Sequence, residues 1–510
     1  THIISIDGSW HSLSRPHFME MGILHPYNLF QRQFLLTKGT PKLPDSWTTD
    51  STTGWQLYHH PTLNVVEIKN SAGQKIGWLL GHLIDLKTKN EQKDAFVLPF
   101  TTSESMDERH AKITTMMRSW AGCYLIIVVD RDFQRIYPDI GATVPVFFNQ
   151  DNEDVGSSPA MLLPGQKYWD RLDLELVTIA DVNGDGWLPF DVTAHKGVLR
   201  LLSNHFLDLR ERSMQRYWPD FKIVLDADIA SAVDEIVLVL KSTIDAIARS
   251  WKMTIQLTAG QDSRTVMACC REHMSQSDAF TLKSSSFSID EMISKRIARE
   301  CNIRQHVLSA VISTEKERSD WLLRIGHSSG GSHMRYHRTM EQLDLSHAMI
   351  TGFGGELNRG RYWSSSDTTD GEITPKQLLG RLDLAQHPRF ITAAKSWIKG
   401  MAGYDKLTIL DVAFVDVPMP GRVSAQLYGP SFTYQDFHPL TQSRIFDRIL
   451  TLPIDYRRAN RLYRDIIART WPEMNDYPVN SVGLWGDARY KFMKVWNHRR
   501  IRRRIRSLIH

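Results

Sequence analysis

Two short stretches carry residues whose types and order suit chemistry on a phosphate. The first is "QLTAGQDSR", residues 256–264. Small residues at 258–260 let the backbone approach a ligand closely, and Asp262 and Ser263 follow at once. The second is "ITGFGGELNRGRY", residues 350–362, with glycines at 352, 354 and 355 and then Glu356. If a loop of this kind leaves a strand and enters a helix, the helix start offers free N–H groups and the positive end of its dipole. A carboxylate at the lip then holds a divalent cation that bridges phosphate oxygens. The first loop is not a Walker loop, because the lysine of that motif is absent.

The surrounding pattern supplies the elements that such loops need. From residue 216 onward strands and helices alternate. "DADIASAVDEIVLVLKSTIDAIARSW" reads as a long amphipathic helix, "MTIQLTAG" as a strand and "SRTVMACCREHM" as a helix. "DAFTLKS" and "RQHVLS" read as strands around the helix "DEMISKRIARECN", and "HAMITGFGG" follows as a further strand after the helix "SHMRYHRTMEQLD". Such alternation predicts βαβ units and a parallel sheet, in which ligands bind beyond the carboxyl ends of the strands. Both loops fall at such ends. The first 200 or so residues differ. Short β-like runs such as "WQLYHH", "NVVEIKN", "GWLLGHLID" and "CYLIIVVD" are split by polar turns, with one helix, "DERHAKITTMMRSWAG". They predict an α+β half built on antiparallel sheet. From about 373 the chain reads as mostly helical.

The length of 510 residues and the ordinary composition predict two or three domains, each long enough to bury a core. The net charge is +5, and no nucleic-acid partner is expected. The four cysteines form no CxxC pair, too few for a disulfide scaffold. No signal peptide and no apolar run of membrane-spanning length is found, so the sequence predicts a soluble, cytoplasmic protein. The stretch "NHRRIRRRIRSLIH" reads as a basic amphipathic helix. Two readings of it stay open: contact with a membrane surface or an acidic partner, or a solvated terminal helix with one docked face.

The loops resemble those of the asparagine synthetase-like family, the ATP-pyrophosphatase amidoligases that include β-lactam synthetases and lasso peptide cyclases. The first is similar to the family's SGGxDS pyrophosphate loop and the second to its GxGxDE loop. Between them, "SIDEMISKRIARECNIRQHVL" resembles the family's acid–helix–His segment with Asp290 and His306, and "FHPLTQSRIFDRILTLPIDYRRANRLYRDIIARTWPEM" resembles its C-terminal segment. The first half resembles a degenerate class II glutamine amidotransferase-like domain. The fold expected from the resemblance is an Ntn-hydrolase-like antiparallel β sandwich over 1–215. A parallel-sheet adenine-nucleotide α-hydrolase-like (PP-loop) synthetase domain with a helical C-terminal part follows over 216–490, and the basic helix spans 491–510.

The resemblance implies adenylation. ATP with Mg²⁺ activates a carboxylate as an acyl-AMP, pyrophosphate leaves, and an amine displaces AMP to form an amide. It places Leu257, Thr258, Gly260, Asp262 and Ser263 on the nucleotide and its phosphates. It sets Lys283 or Ser284 near the nucleotide, Thr351 and Gly352 by the adenine, and Asp262 and Glu356 on Mg²⁺. The family's catalytic lysine aligns with Arg461, with Arg457 and Arg458 as nearby candidates, and Arg464 matches the arginine after it. The partners implied are a carboxylate substrate with an internal or separate amine and, for lasso-type ring closure, a precursor peptide and its processing protein.

The departures from the family sharpen this expectation. Thr1 stands where the amidotransferases carry a cysteine nucleophile, and the glutamine-binding segments are not visible, so no glutaminase is expected. Ala259 replaces a glycine and is read as narrowing the space for phosphates. Leu357 replaces a second acid. Phe353 stands where relatives carry a glutamate or tyrosine and cannot take a proton. His333 and His337, four apart on a predicted helix, either face the pocket or form a pair on a half-exposed helix face; without an acid partner they are not read as zinc ligands. The expected activity is an ATP-dependent amide ligase, with sugar-acid or amino-acid amidation and a nucleotide-binding pseudoenzyme as alternatives.

Overall fold

The computed structural model describes residues 27–43, 46–101, 103–226, 228–283 and 288–481, together with the backbone of two short strands, His2–Ile4 and Trp10–Ser12. Over the described residues the chain is a mixed α/β protein, with two large antiparallel-type sheets and the two-stranded pair of His2–Ile4 and Trp10–Ser12 in its first half and a parallel sheet with helices in its second.

In the first half, the eight-stranded sheet centres on Lys75–Asp85 and Trp120–Asp130, paired antiparallel. A six-stranded sheet lies against it. Phe34, Leu36, Trp55 and Leu57 of the smaller sheet meet Trp78, Leu80, Leu125 and Ile127 of the larger. The alternate residues Leu79, Ile126 and Val128 pack on the other face, with Ile113 and Met117 of the helix Met106–Met117. That is why "GWLLGHLID" and "CYLIIVVD" are apolar without alternation: both of their faces are covered. Ser105 and Glu108 close a capping box at the start of the covering helix.

The second half begins with α1 (Ile229–Ser250), whose apolar stripe is buried. It continues through β1 (Met253–Gln256), α2 (Gln261–Cys269), β2 (Asp278–Lys283), α3 (Ile289–Glu300), β3 (Gln305–Ser309), β4 (Ala348–Ile350) and β5 (Gln435–Phe437). All neighbouring strands run parallel, in the order β3-β2-β1-β4-β5. The direction of progression reverses between β1 and β4, and a crevice opens at such a switch point beyond the carboxyl ends. β5 lies within the stretch expected to be helical; its three residues have no pattern of their own and are defined by pairing with β4. The helices α4 (Lys406–Asp416) and α5 (Leu462–Thr470) close the site from the C-terminal side, α5 against α1 and α2. Among the described residues, no helix is long and apolar enough to cross a membrane. Thr1, Ser284 and the basic stretch 491–510 lie outside the described residues.

Candidate functional site

The first loop leaves β1 and is bound from three sides before α2 begins. Thr258 and Ser263 pair through their hydroxyls at 2.7 Å, and the Gly260 N–H donates to Thr258 Oγ1 at 3.1 Å. The Ala259 N–H donates to Asp290 Oδ1 on α3 at 2.9 Å. Arg264 is buried beneath the loop. It donates to the Ala259 carbonyl at 3.0 Å, the Gly260 carbonyl at 3.1 Å and the Tyr477 carbonyl at 3.0 Å. Burial pushes its pKa down to about 10, which leaves it charged at neutral pH. The Asn480 N–H adds a bond to the Ala259 carbonyl at 3.0 Å. Leu257 and Ala259 are fully buried in the core. The Leu257 backbone is engaged as well, its N–H donating to the Phe280 carbonyl at 2.9 Å and its carbonyl accepting from Thr281 Oγ1 at 2.6 Å. Contrary to the expectation, the Ala259 methyl packs inward and does not narrow the loop.

The second loop leaves β4 and lies directly on the first. A Cβ at Gly352 would stand 2.6 Å from both the Asp262 carbonyl carbon and the Ser263 nitrogen, and one at Gly355 would stand 3.0 Å from Asp262 Cγ. Glycine at these two positions is what lets the loops touch. Glu356 sits on the short 3-10 turn Gly355–Arg359. Arg359, one turn after it, reaches back. Its guanidinium grips Asp262 at 2.9 and 3.3 Å and contacts Glu356 at 3.4 Å. Arg361 Nε lies 3.5 Å from Glu356 Oε1. Burial works against the Arg359 charge, but the Asp262 and Glu356 carboxylates hold its pKa above the ordinary arginine value.

Behind the second loop, buried Arg457 donates to the Leu357 carbonyl at 2.7 Å, the Asn358 carbonyl at 3.2 Å and Asp411 of α4 at 2.7 Å. It is a structural tie, which removes it from the catalytic candidates. Leu357 is fully buried. Asn460 joins the loops, bonded to Gln261 at 2.5 Å and Asn358 at 3.0 Å. Arg461, the next residue, is exposed and lies over the Tyr456 ring at 5.3 Å. Arg464 is exposed on α5. Neither is among the ion-pair partners of Asp262 and Glu356, which are Arg359 and Arg361.

Thr351 Oγ1 and His438 Nδ1 are 2.7 Å apart, just beyond the ends of β4 and β5. Burial pushes the His438 imidazole down to about 4, and Phe353 meets it edge-on at 5.3 Å. Lys283, at the end of β2, pairs with Glu291 at 3.3 Å. His306 contacts Asp278 at 3.1 Å, at the amino end of β2 and so away from the loops. His337 is buried rather than half-exposed. It contacts Ser313 Oγ and the Met334 carbonyl, each at 3.0 Å, and takes no part in the site. The expected helix over "SHMRYHRTMEQLD" divides into Gly331–Tyr336 and a 3-10 turn, His337–Gln342.

Four residues that shape this site escaped the sequence, Arg264, Arg359, Asn460 and His438, as did the structural role of Arg457. Only Arg359 left a local sign, its spacing of three from Glu356 on a helical turn. No protein-family model matches the chain, and no curated protein matches its sequence.

Among the described residues, no group of three or more His, Cys, Asp or Glu side chains is placed to hold a metal ion. Asp262 and Glu356 do share one cation, the Arg359 guanidinium. Two carboxylates that converge on one positive charge fit a divalent ion whose remaining ligands are phosphate oxygens and water.

Proposed function

We propose that the protein is an ATP-dependent amide-bond-forming ligase, which activates a carboxylate as an acyl-adenylate for attack by an amine without hydrolysing glutamine. On this reading the first half is a degenerate Ntn-hydrolase-like sandwich and the second an ATP-pyrophosphatase synthetase of the asparagine synthetase-like family. One observation carries the proposal: two Gly-containing loops, from strands flanking the switch point, meet at Asp262, with Glu356 beside it. Such a meeting places a helix N-terminus, close-approaching backbone and two acids around one point, as a nucleotide's phosphates require.

The residues divide the work. The first N–H groups of α2 would face the β- and γ-phosphates, and the 258–260 turn that leads into them is held in shape by Arg264, Asp290 and Asn480. Asp262 and Glu356 would hold Mg²⁺, whose chemistry when bound is to neutralise phosphate charge. The substrate carboxylate oxygen attacks the α-phosphorus, and the bond to the pyrophosphate oxygen breaks. Arg461, beside Asn460 at the loop junction, supplies permanent positive charge for the departing pyrophosphate. The amine then displaces AMP. Thr351 and Gly352 would lie by the adenine, with Lys283 near the nucleotide. The macrolactam and β-lactam type of ring closure, in which one substrate carries both groups, is favoured over amidation with glutamine-derived ammonia, because the sequence shows no segments that bind glutamine.

The test is carboxylate-dependent exchange of labelled pyrophosphate into ATP, run across peptide, amino-acid and sugar-acid carboxylates. The expected result is exchange with one carboxylate class, lost by at least 10²-fold in Asp262→Asn and in Arg461→Ala, with both variants folded. ATP binding with no exchange under any carboxylate would leave the chain a nucleotide-binding partner and overturn the ligase reading.

A further inference from the structure

The acids proposed for the cation are already engaged. Both oxygens of Asp262 meet the Arg359 fork, at 2.9 and 3.3 Å, and the same guanidinium contacts Glu356 at 3.4 Å. Arg361 stands 3.5 Å from Glu356. Two carboxylates thus face two guanidiniums, and the cluster carries no net charge. A cluster without net charge draws in a divalent ion far more weakly than two free carboxylates would, and a bidentate arginine–carboxylate pair is among the strong forms of such a contact. A divalent ion can take Asp262 only if the Arg359 fork lets go. A triphosphate supplies the reason for that release. It adds several negative charges beside α2, which give the released guanidinium a planar, bidentate partner.

We propose that Arg359 is the built-in counter-ion of this site: it holds Asp262 and Glu356 before nucleotide arrives, excludes a free divalent cation, and passes to the phosphates when nucleotide and cation enter together. The proposal rests on the reading of the site as one for nucleotide phosphates. It makes Arg359 a phosphate-positioning residue and makes cation binding obligately coupled to nucleotide binding. Arg361 is placed to hold Glu356 after Arg359 departs. The three side chains are all one-quarter to one-third exposed, so the exchange needs no opening of the core.

The experiment measures Mn²⁺ binding to the full-length protein by electron paramagnetic resonance, without nucleotide, in wild type, Arg359→Gln and Arg359→Lys. A fluorescent ATP analogue is titrated in parallel, with EDTA and with Mg²⁺. The expected result is weak Mn²⁺ binding by wild type and at least tenfold tighter binding by Arg359→Gln. Arg359→Lys, which keeps the charge and loses the fork, falls between them. Metal-free binding of the ATP analogue weakens at least tenfold in Arg359→Gln. Mn²⁺ affinity that is unchanged or lower in Arg359→Gln overturns the proposal, and if that variant does not fold the Arg359→Lys series decides in the same way. Absence of ATP-analogue binding by wild type under both conditions removes the nucleotide reading itself. Binding of the analogue with no effect of Arg359 on Mn²⁺ removes only the role of Arg359.

Discussion

Replacing Arg457 by methionine tests whether the second loop is held from behind. The Arg457 guanidinium is almost fully buried and makes three bonds, to the Leu357 and Asn358 carbonyls and to Asp411. Asp411 is equally buried; burial raises its pKa to about 6, against the opposing pull of Arg457. Methionine fills much of the space but offers no donor. Removing one partner of a buried ion pair costs about 3–5 kcal/mol, because the other charge is left without compensation. The Asn358 carbonyl, which loses its donor, adds about 1–3 kcal/mol, whereas the Leu357 carbonyl keeps the Gly360 N–H at 3.2 Å. Urea unfolding followed by tryptophan fluorescence reads the loss. The double variant Arg457→Met/Asp411→Leu removes the stranded acid and should regain part of the stability, leaving the cost of the Asn358 carbonyl. Nucleotide affinity should fall in both variants, since the turn bearing Glu356 and Arg359 loses its anchor. A single variant destabilised by less than about 1 kcal/mol, or a double variant as unstable as independent losses would make it, would refute the tie. A stable variant that loses only pyrophosphate exchange would return Arg457 to the catalytic residues.

Two further perturbations follow from the same geometry. Gly352→Ala sets a methyl 2.6 Å from the Asp262 backbone and must push the loops apart; a cost of about 1–3 kcal/mol and at least tenfold weaker binding of the ATP analogue are expected, and wild-type affinity would show that the loops do not act as one site. The His327 imidazole, bonded to Tyr168 at 2.8 Å and close to His195, is pushed by burial to about 4 from an ordinary 6.5. The folded state therefore excludes a proton that the unfolded chain takes up, so this contribution is complete above pH ~6.5 and is lost as pH falls toward ~4, with a slope up to about 1.4 kcal/mol per pH unit. Asparagine tolerates the left-handed backbone at this position, φ +55°, and His327→Asn should flatten the decline in stability between pH 6.5 and 4.5; an unchanged slope in urea titrations would refute the assignment.

Much of the architecture was written in local pattern. β1, β2 and β3 and the helices between them follow from apolar runs bounded by turn residues, and the capping residues Ser105 and Ser288 fall where the helices begin. The antiparallel character of the first half was legible from short β-like runs between polar turns. The two loops were legible as well, because a chain that must pass close to a ligand or to itself needs small residues there. Asp262 and Glu356 stood out as acids beside them.

What local pattern could not contain is distance between residues far apart in the chain. Strand β5 has three residues and exists only because β4 offers an open edge. His438 meets Thr351 across 87 positions, and Arg457 meets Leu357 across 100. The long side chains of Arg264, Arg359 and Arg457 look alike in sequence, yet one props the first loop, one bridges the two acids and one anchors the second loop. A guanidinium's role is set by which carbonyls and carboxylates the packed backbone brings within its reach. Sequence alone singled out the two loops and the acids beside them; the tertiary structure decided that they touch, and that an arginine stands between their acids.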